Sequence, residues 1–172
     1  MLLHVAASET AQIEVEMAEH RQPDTSEHAA VDRQKEVDEA AGAAYSATVI
    51  DHALHPRNLG GMLDPDGQAA ARSSCGDTMA IFVRLDGPRI KMASFLTDGC
   101  GATLACGSML TTIVRGLTLE EAAAVEAADV IVALGGLPPE NVHCAVLAVV
   151  ALQAAMARCS REAGAAPANP RS

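Results

Sequence analysis

Three cysteines, one aspartate and one histidine stand in three short segments: Cys75-Gly76-Asp77, Gly99-Cys100-Gly101 and, just after Pro138-Pro139, His143-Cys144. Thiolates, an imidazole and a carboxylate make up a donor set suited to an iron–sulfur cluster or a zinc ion. A closed structural zinc site is normally built from cysteines alone or from cysteines and histidines. The aspartate is the odd member, a hard oxygen among soft sulfurs, and it points to a site whose occupant is meant to leave. Gly76, Gly99 and Gly101 beside the thiols have no Cβ, so the backbone can turn sharply and bring its N–H groups close to sulfur.

These donors need elements to carry them. Met79, Ile81, Val83 and Leu85 alternate with Ala80, Phe82 and Arg84, and Ile90, Met92, Ser94 and Leu96 repeat the pattern after Asp86-Gly87-Pro88, which predicts a β-hairpin with a three-residue turn. A third strand is expected over Ala69 to Ser74, leading into Cys75. Tyr45 to Ala53 reads as a short helix that stops before His55-Pro56, because the residue preceding proline is driven away from helical angles. Gly60-Gly61 and Asp64-Pro65-Asp66-Gly67 then mark a loop. A helix is expected from Gly101 to Val114 with Gly116 at its C-terminal cap, and another opens at Thr118 with Glu121 at the capping-box spacing. The last helix, from about Pro139 to Ala163, is apolar around most of its circumference and should be buried. Strands first and helices after give an α+β fold: a small three-stranded antiparallel sheet with helices packed on one face. Cys75 and Asp77 fall in a turn between strands, Cys100 at a strand-to-helix junction and His143-Cys144 at the start of the last helix, so convergence at one end of the domain is expected. A helix N-terminus favours the thiolate form of Cys100 and Cys144.

Composition limits the classes of function. The chain has 172 residues, 49% of them hydrophobic, enough for one domain with a substantial core. Aromatic residues are only 2% and the net charge is −10, which together argue against a nucleic-acid partner: there are few stacking platforms and too few cations to displace counterions from a phosphate backbone. Residues 1–44 carry ten acidic and three basic side chains and few large apolar ones, and are expected to form an acidic, mobile arm, helical at most between Val31 and Ala44. The domain proper spans 45–163, and the Ala/Pro-rich stretch 164–172 is expected to be disordered. The longest uninterrupted apolar run, Ala145 to Leu152, is short of the ~20 residues of a membrane helix, and Met1 to Ala7 lacks the basic start of a signal peptide. Five cysteines without an export signal fit a cytoplasmic protein whose thiols are ligands or reactive groups.

The stretch Tyr45-Ser46-Ala47-Thr48-Val49-Ile50-Asp51-His52, followed by Pro56-Arg57-Asn58-Leu59-Gly60, resembles the opening of IscU/NifU-type iron–sulfur cluster scaffold proteins. Ser74-Cys75-Gly76-Asp77, Asp98-Gly99-Cys100-Gly101 and Leu137-Pro138-Pro139 with His143-Cys144 are similar to that family's three ligand segments in order and spacing. The resemblance implies a scaffold rather than an enzyme. Its cysteines Cys75, Cys100 and Cys144 would accept persulfide sulfur from a cysteine desulfurase and, with ferrous iron, hold a nascent [2Fe–2S] cluster. Asp77 would tune its lability and His143 would serve as an alternative ligand. Apo iron–sulfur proteins would receive the cluster, a ferredoxin is a further candidate partner, and the scaffold would work as a monomer or homodimer. Zinc-binding SufU-type sulfur acceptors resemble the same fold and supply the alternative reading, with Zn²⁺ on the same ligands. They carry an insertion between the second and third cysteines and lack the histidine, whereas here 43 residues separate Cys100 from Cys144 and His143 is present.

The chain departs from the pattern in places. Leu137-Pro138-Pro139-Glu140-Asn141 stands where the IscU branch has Leu-Pro-Pro-Val-Lys, which argues against dependence on a dedicated Hsp70-type chaperone. Ala71-Arg72-Ser73 replaces the usual glycine and proline before the first cysteine. Cys106 and Cys159 are read as packed core thiols, Met79, Met92, Met109 and Met156 as core filling, and His52 and His55 as surface or capping groups. Catalysis by a Cys–His pair is the least favoured reading, because adjacent residues on a helix diverge by about 100°.

Overall fold

A computed structural model describes residues 14–16 and 45–163. The elements run β1 (Glu14–Glu16), α1 (Ala47–Leu54), β2 (Gly67–Arg72), β3 (Thr78–Asp86), β4 (Arg89–Thr97), α2 (Gly101–Ile113), α3 (Leu119–Ala123), α4 (Ala127–Ala133), a 3₁₀ turn (Pro139–Asn141) and α5 (Val142–Ala163). The three expected strands are antiparallel in the order β2-β3-β4. Glu14–Glu16, inside the acidic arm, adds a short fourth strand on the free edge of β2, with Val15 opposite Ala71. The rest of the arm, including Val31 to Ala44, and the 164–172 tail lie outside the described residues.

Alternation sets the two faces of the sheet. Met79, Ile81 and Val83 of β3 are fully buried beneath the helices, as their period of two requires. In β4 the expected face holds only at Ile90: Ala93 and Phe95 are the buried residues further along, while Met92 pairs with Arg84 on the outer face and is 44% exposed. The cause is a register irregularity at Arg84/Leu85, where one extra residue reverses the phase of the strand. Met92 is therefore not core, whereas Met79 and Met156 are buried and Met109 is partly so. The strands reach Asp86 and resume at Arg89, so the turn is two residues, Gly87-Pro88, with Gly87 at φ +58°.

The core is filled by small side chains, and this lets helix and sheet approach closely. Ala148, Ala151, Leu152 and Ala155 form one buried stripe of α5 at helical spacing. A Cβ on Gly67 of β2 would come within 2.3 Å of the Ala155 carbonyl oxygen and 2.4 Å of Cys159 Sγ, so α5 lies almost against the strand backbone. Pro139–Cys159 is long and apolar enough to cross a membrane by length and composition, yet it is the helix that packs on β2, β3 and α2. Phe95 is seated in the same way, its ring 2.5 Å from where a Cβ of Gly107 on α2 would lie.

The helix ends follow from local chemistry. Ser46 caps α1 by accepting the Val49 N–H at 3.1 Å, and its hydroxyl donates to the Leu134 carbonyl. Thr118 and Glu121 form the expected capping box at α3. The chain breaks after Ala123 and restarts at α4 behind a second reciprocal pair, Glu126 and Asp129, a helix that periodicity did not separate from its neighbour. His52, expected at the surface, is buried: its Nδ1 lies 2.7 Å from Ser108 Oγ, which also accepts the Arg57 N–H at 2.8 Å. One turn of α1 points it at α2, and burial holds its pKa below the ordinary value. His55 is exposed at the α1 C-cap, 3.4 Å from Asp51.

Candidate metal centre

The turn from β2 to β3 delivers the first two donors. Ser73 N–H donates to the Asp77 carbonyl at 2.9 Å and Gly76 N–H to the Ser73 carbonyl at 3.0 Å, with Gly76 at φ +99°, a backbone conformation that glycine adopts without Cβ strain. This closed turn leaves Cys75 exposed at its tip and directs Asp77 inward. Cys100 is the N-cap of α2, reached from β4 through Thr97, whose hydroxyl accepts the Gly99 N–H at 3.1 Å. The third pair follows Pro138-Pro139 and the 3₁₀ turn, so His143 and Cys144 are the second and third residues of α5, with Cys144 fully buried.

The five side chains meet. Ligand atoms of Cys75, Asp77 and His143 all lie within 4.8 Å of one another, and so do those of Asp77, Cys100 and Cys144. Asp77 belongs to both groups. His143 Nε2 is 3.4 Å from Cys75 Sγ and 3.6 Å from Cys144 Sγ, so the imidazole spans the divergence expected between neighbours on a helix. Cys106 and Cys159 stay outside, both buried in the core as expected.

The thiols are electrostatically unequal. Hydrogen bonding from the Cys144 thiol, supported by the first-turn amides of α2, pulls Cys100 below the usual thiol range against the opposing effect of burial. The same contact and burial push Cys144 up. The contact therefore favours the thiolate on Cys100 and the protonated thiol on Cys144. Burial, and after it the charge on Cys100, pushes Cys106 up to about 12, a thiol that stays neutral and inert.

Two residues that sequence reasoning missed complete the surroundings. Ser73 Oγ is 2.9 Å from Cys75 Sγ. Thr103, fully buried, places its hydroxyl 3.0 Å from Asp77 Oδ2, 3.3 Å from Cys144 Sγ and 3.6 Å from Cys100 Sγ. The signal was present as the i, i+3 spacing from Cys100, which brings two residues to one side of a helix's first turn. Tyr45 stands nearby and donates to Asn141 Oδ1 at 2.6 Å; its pKa is raised first by burial and then by the charge on Cys100.

Fold and donor set together define a small α+β metal-handling domain with thiolate, imidazole and carboxylate donors gathered at one end. The NifU-like N terminal domain family matches residues 44–165, and the chain belongs to that family. It is 40% identical over 121 residues to the iron-sulfur cluster assembly scaffold protein IscU 1 of Archaeoglobus fulgidus, covering 70% of this chain and 79% of the relative. It is 39% identical over 127 residues to the iron-sulfur cluster assembly scaffold protein IscU of Escherichia coli, covering 70% of this chain and 98% of that one. The solved N-terminal part of a nitrogen-fixing NifU-like protein from Brucella abortus superposes with a TM-score of 0.56 at 15% identity, over 74% of this chain and 99% of that one, which shows a shared fold.

Proposed function

We propose that this protein is a scaffold on which an iron–sulfur cluster is assembled from iron and sulfur and then handed to apo-proteins. The observation that carries the reading is that Asp77 is shared between two donor groups, Cys75/His143 on one side and Cys100/Cys144 on the other. A [2Fe–2S] cluster presents two irons that each need two protein ligands. The five donors divide two and two around the aspartate, which is therefore the surplus, exchangeable ligand. Four donors hold the cluster at any moment, and the fifth offers a path along which it loosens. A carboxylate binds iron less well than thiolate beside sulfide, so exchange toward Asp77 favours release.

Cys75 is the accessible thiol and the first candidate to receive persulfide sulfur from a cysteine desulfurase, with Cys100, whose thiolate form is the more favoured, behind it and Cys144 the most enclosed. Ferrous iron and sulfide are substrates of the assembly. Apo iron–sulfur proteins are the receivers, a ferredoxin is a candidate source of electrons, and the working compartment is the cytoplasm. The relatives named as IscU scaffold proteins support the role. Zn²⁺ is a competing occupant, because Asp77, Cys100 and Cys144 with one further donor would also satisfy a tetrahedral ion.

The test is anaerobic incubation with ferrous iron, cysteine and a desulfurase, followed by iron and sulfide counting. A coloured product with equal iron and acid-labile sulfide is expected. A colourless protein that keeps one tightly bound zinc would replace the scaffold reading with a zinc-bearing sulfur acceptor. In the same assay Asp77→Ala should slow transfer of the cluster to an apo-acceptor, and equal transfer rates for variant and parent would remove the lability role.

A further inference from the structure

We propose that Thr103 is a positioning residue of the metal centre, whose hydroxyl holds the Asp77 carboxylate in the place from which it can serve both donor groups. Thr103 is fully buried and is the third residue of α2, facing the β2–β3 turn. Its hydroxyl carries a single hydrogen, and three acceptors surround it: Asp77 Oδ2 at 3.0 Å, Cys144 Sγ at 3.3 Å and Cys100 Sγ at 3.6 Å. A carboxylate is the strongest acceptor of the three and the nearest, so the hydrogen goes to Asp77. Among the described residues this is the hydrogen bond that the Asp77 carboxylate receives.

The direction of the hydroxyl is fixed by packing. Thr103 Cβ and Cγ2 both come within 2.7 Å of the point where a Cβ of Gly99 would lie, and Asp77 Oδ2 within 2.8 Å. The methyl is therefore wedged against bare backbone, and a β-branched side chain has few rotamers to escape into. With the methyl held there, the hydroxyl faces the donors. A ligand that is hydrogen-bonded from behind keeps its orientation toward an incoming ion, and loss of such a partner typically weakens metal binding by about 10- to 100-fold.

The inference rests on the scaffold reading only for the identity of the ligands, and its test uses Co²⁺ alone, with no cluster assembly involved. Reduced, metal-free full-length protein is titrated with Co²⁺ under anaerobic conditions and followed by its thiolate-to-cobalt and ligand-field absorption. The variants are Thr103→Val, Thr103→Ser, Asp77→Ala and the double variant Thr103→Val/Asp77→Ala. Thr103→Val should weaken Co²⁺ binding by about tenfold, Thr103→Ser should restore most of it, and in the Asp77→Ala background Thr103→Val should have little further effect. Binding by Thr103→Val equal to the parent overturns the proposal. So does a tenfold loss that persists without Asp77, which would make Thr103 a packing residue. If the valine variant does not fold, Thr103→Ser against Thr103→Ala supplies the hydroxyl contrast, and equal affinities overturn the proposal in the same way. A parent that binds Co²⁺ but builds no cluster counts against the scaffold and leaves this contrast intact.

Discussion

Gly99→Ala should damage the centre from behind without removing a ligand. The new Cβ would sit 2.7 Å from Thr103 Cβ, 2.7 Å from Thr103 Cγ2 and 2.8 Å from Asp77 Oδ2. Carbon atoms pack at about 3.5–4.0 Å, so the overlap is close to one ångström at the two Thr103 carbons and smaller at the carboxylate oxygen. Thr103 is fully buried and β-branched, and Cys144 and Cys100 lie on its other side, so it has little room to retreat. Overpacking of this kind costs about 1–3 kcal/mol of stability. Part of the strain is relieved by moving Asp77, which stretches its bond to Thr103 and carries it away from both donor groups, so Co²⁺ affinity should also fall by about tenfold. Denaturant unfolding gives the first quantity and anaerobic Co²⁺ titration the second. Gly61→Ala is the matched control: its Cβ would meet only Leu96 Cδ1 at 3.8 Å, and stability should stay within about 0.5 kcal/mol of the parent. A Gly99→Ala protein that unfolds and binds Co²⁺ like the parent would refute the close approach of turn and helix on which the site depends.

Two further outcomes follow from the core. Cys106, held up at about 12 in the fold, keeps its proton where the unfolded chain has lost it, so its contribution to stability is complete below the unfolded thiol range and declines as pH rises through the interval up to about 12. Within that interval the parent should lose about 1.4 kcal/mol per pH unit more than Cys106→Ala, and parallel curves from denaturant titrations between about pH 9.5 and 10.5 would refute the assignment. Gly107→Ala sets two effects against each other. Alanine gains about 1 kcal/mol in a helix interior, but its Cβ would meet the fully buried Phe95 ring at 2.5–3.0 Å, and overpacking at about 1–3 kcal/mol should win, lowering the thermal midpoint; a higher midpoint would show that the ring yields.

Features readable in the chain were those with a local cause. The β3 alternation, the Thr118/Glu121 box and the apolar girth of α5 each follow from residues within a few positions of one another, and each is present. Readings failed where a distant contact decided. His52 is on a short helix, and only the position of Ser108, 56 residues away, makes it a buried hydrogen-bonded group. Met92 fitted a period-two face until the irregularity at Arg84/Leu85 reversed the phase. Glu14–Glu16 has no strand signal of its own and pairs because the edge of β2 offers unpaired backbone groups.

The sequence by itself determined which atoms could bind metal. Cys75, Asp77, Cys100, His143 and Cys144 announce themselves by residue type, by flanking glycines and by their place at element ends, and no folding is needed to name them. Tertiary structure decided how they are grouped. Asp77 becomes common to both donor groups because α5 packs closely on β2, at Gly67 against Ala155 and Cys159, and its start comes under the β2–β3 turn. Thr103 reads in the chain as one small helical residue among several. Its hydroxyl acquires a role only when the turn, the head of α2 and the start of α5 are brought within hydrogen-bond distance of it. Ligand chemistry is a property of single side chains, whereas ligand geometry is set by the distances between elements, and those distances depend on the whole core.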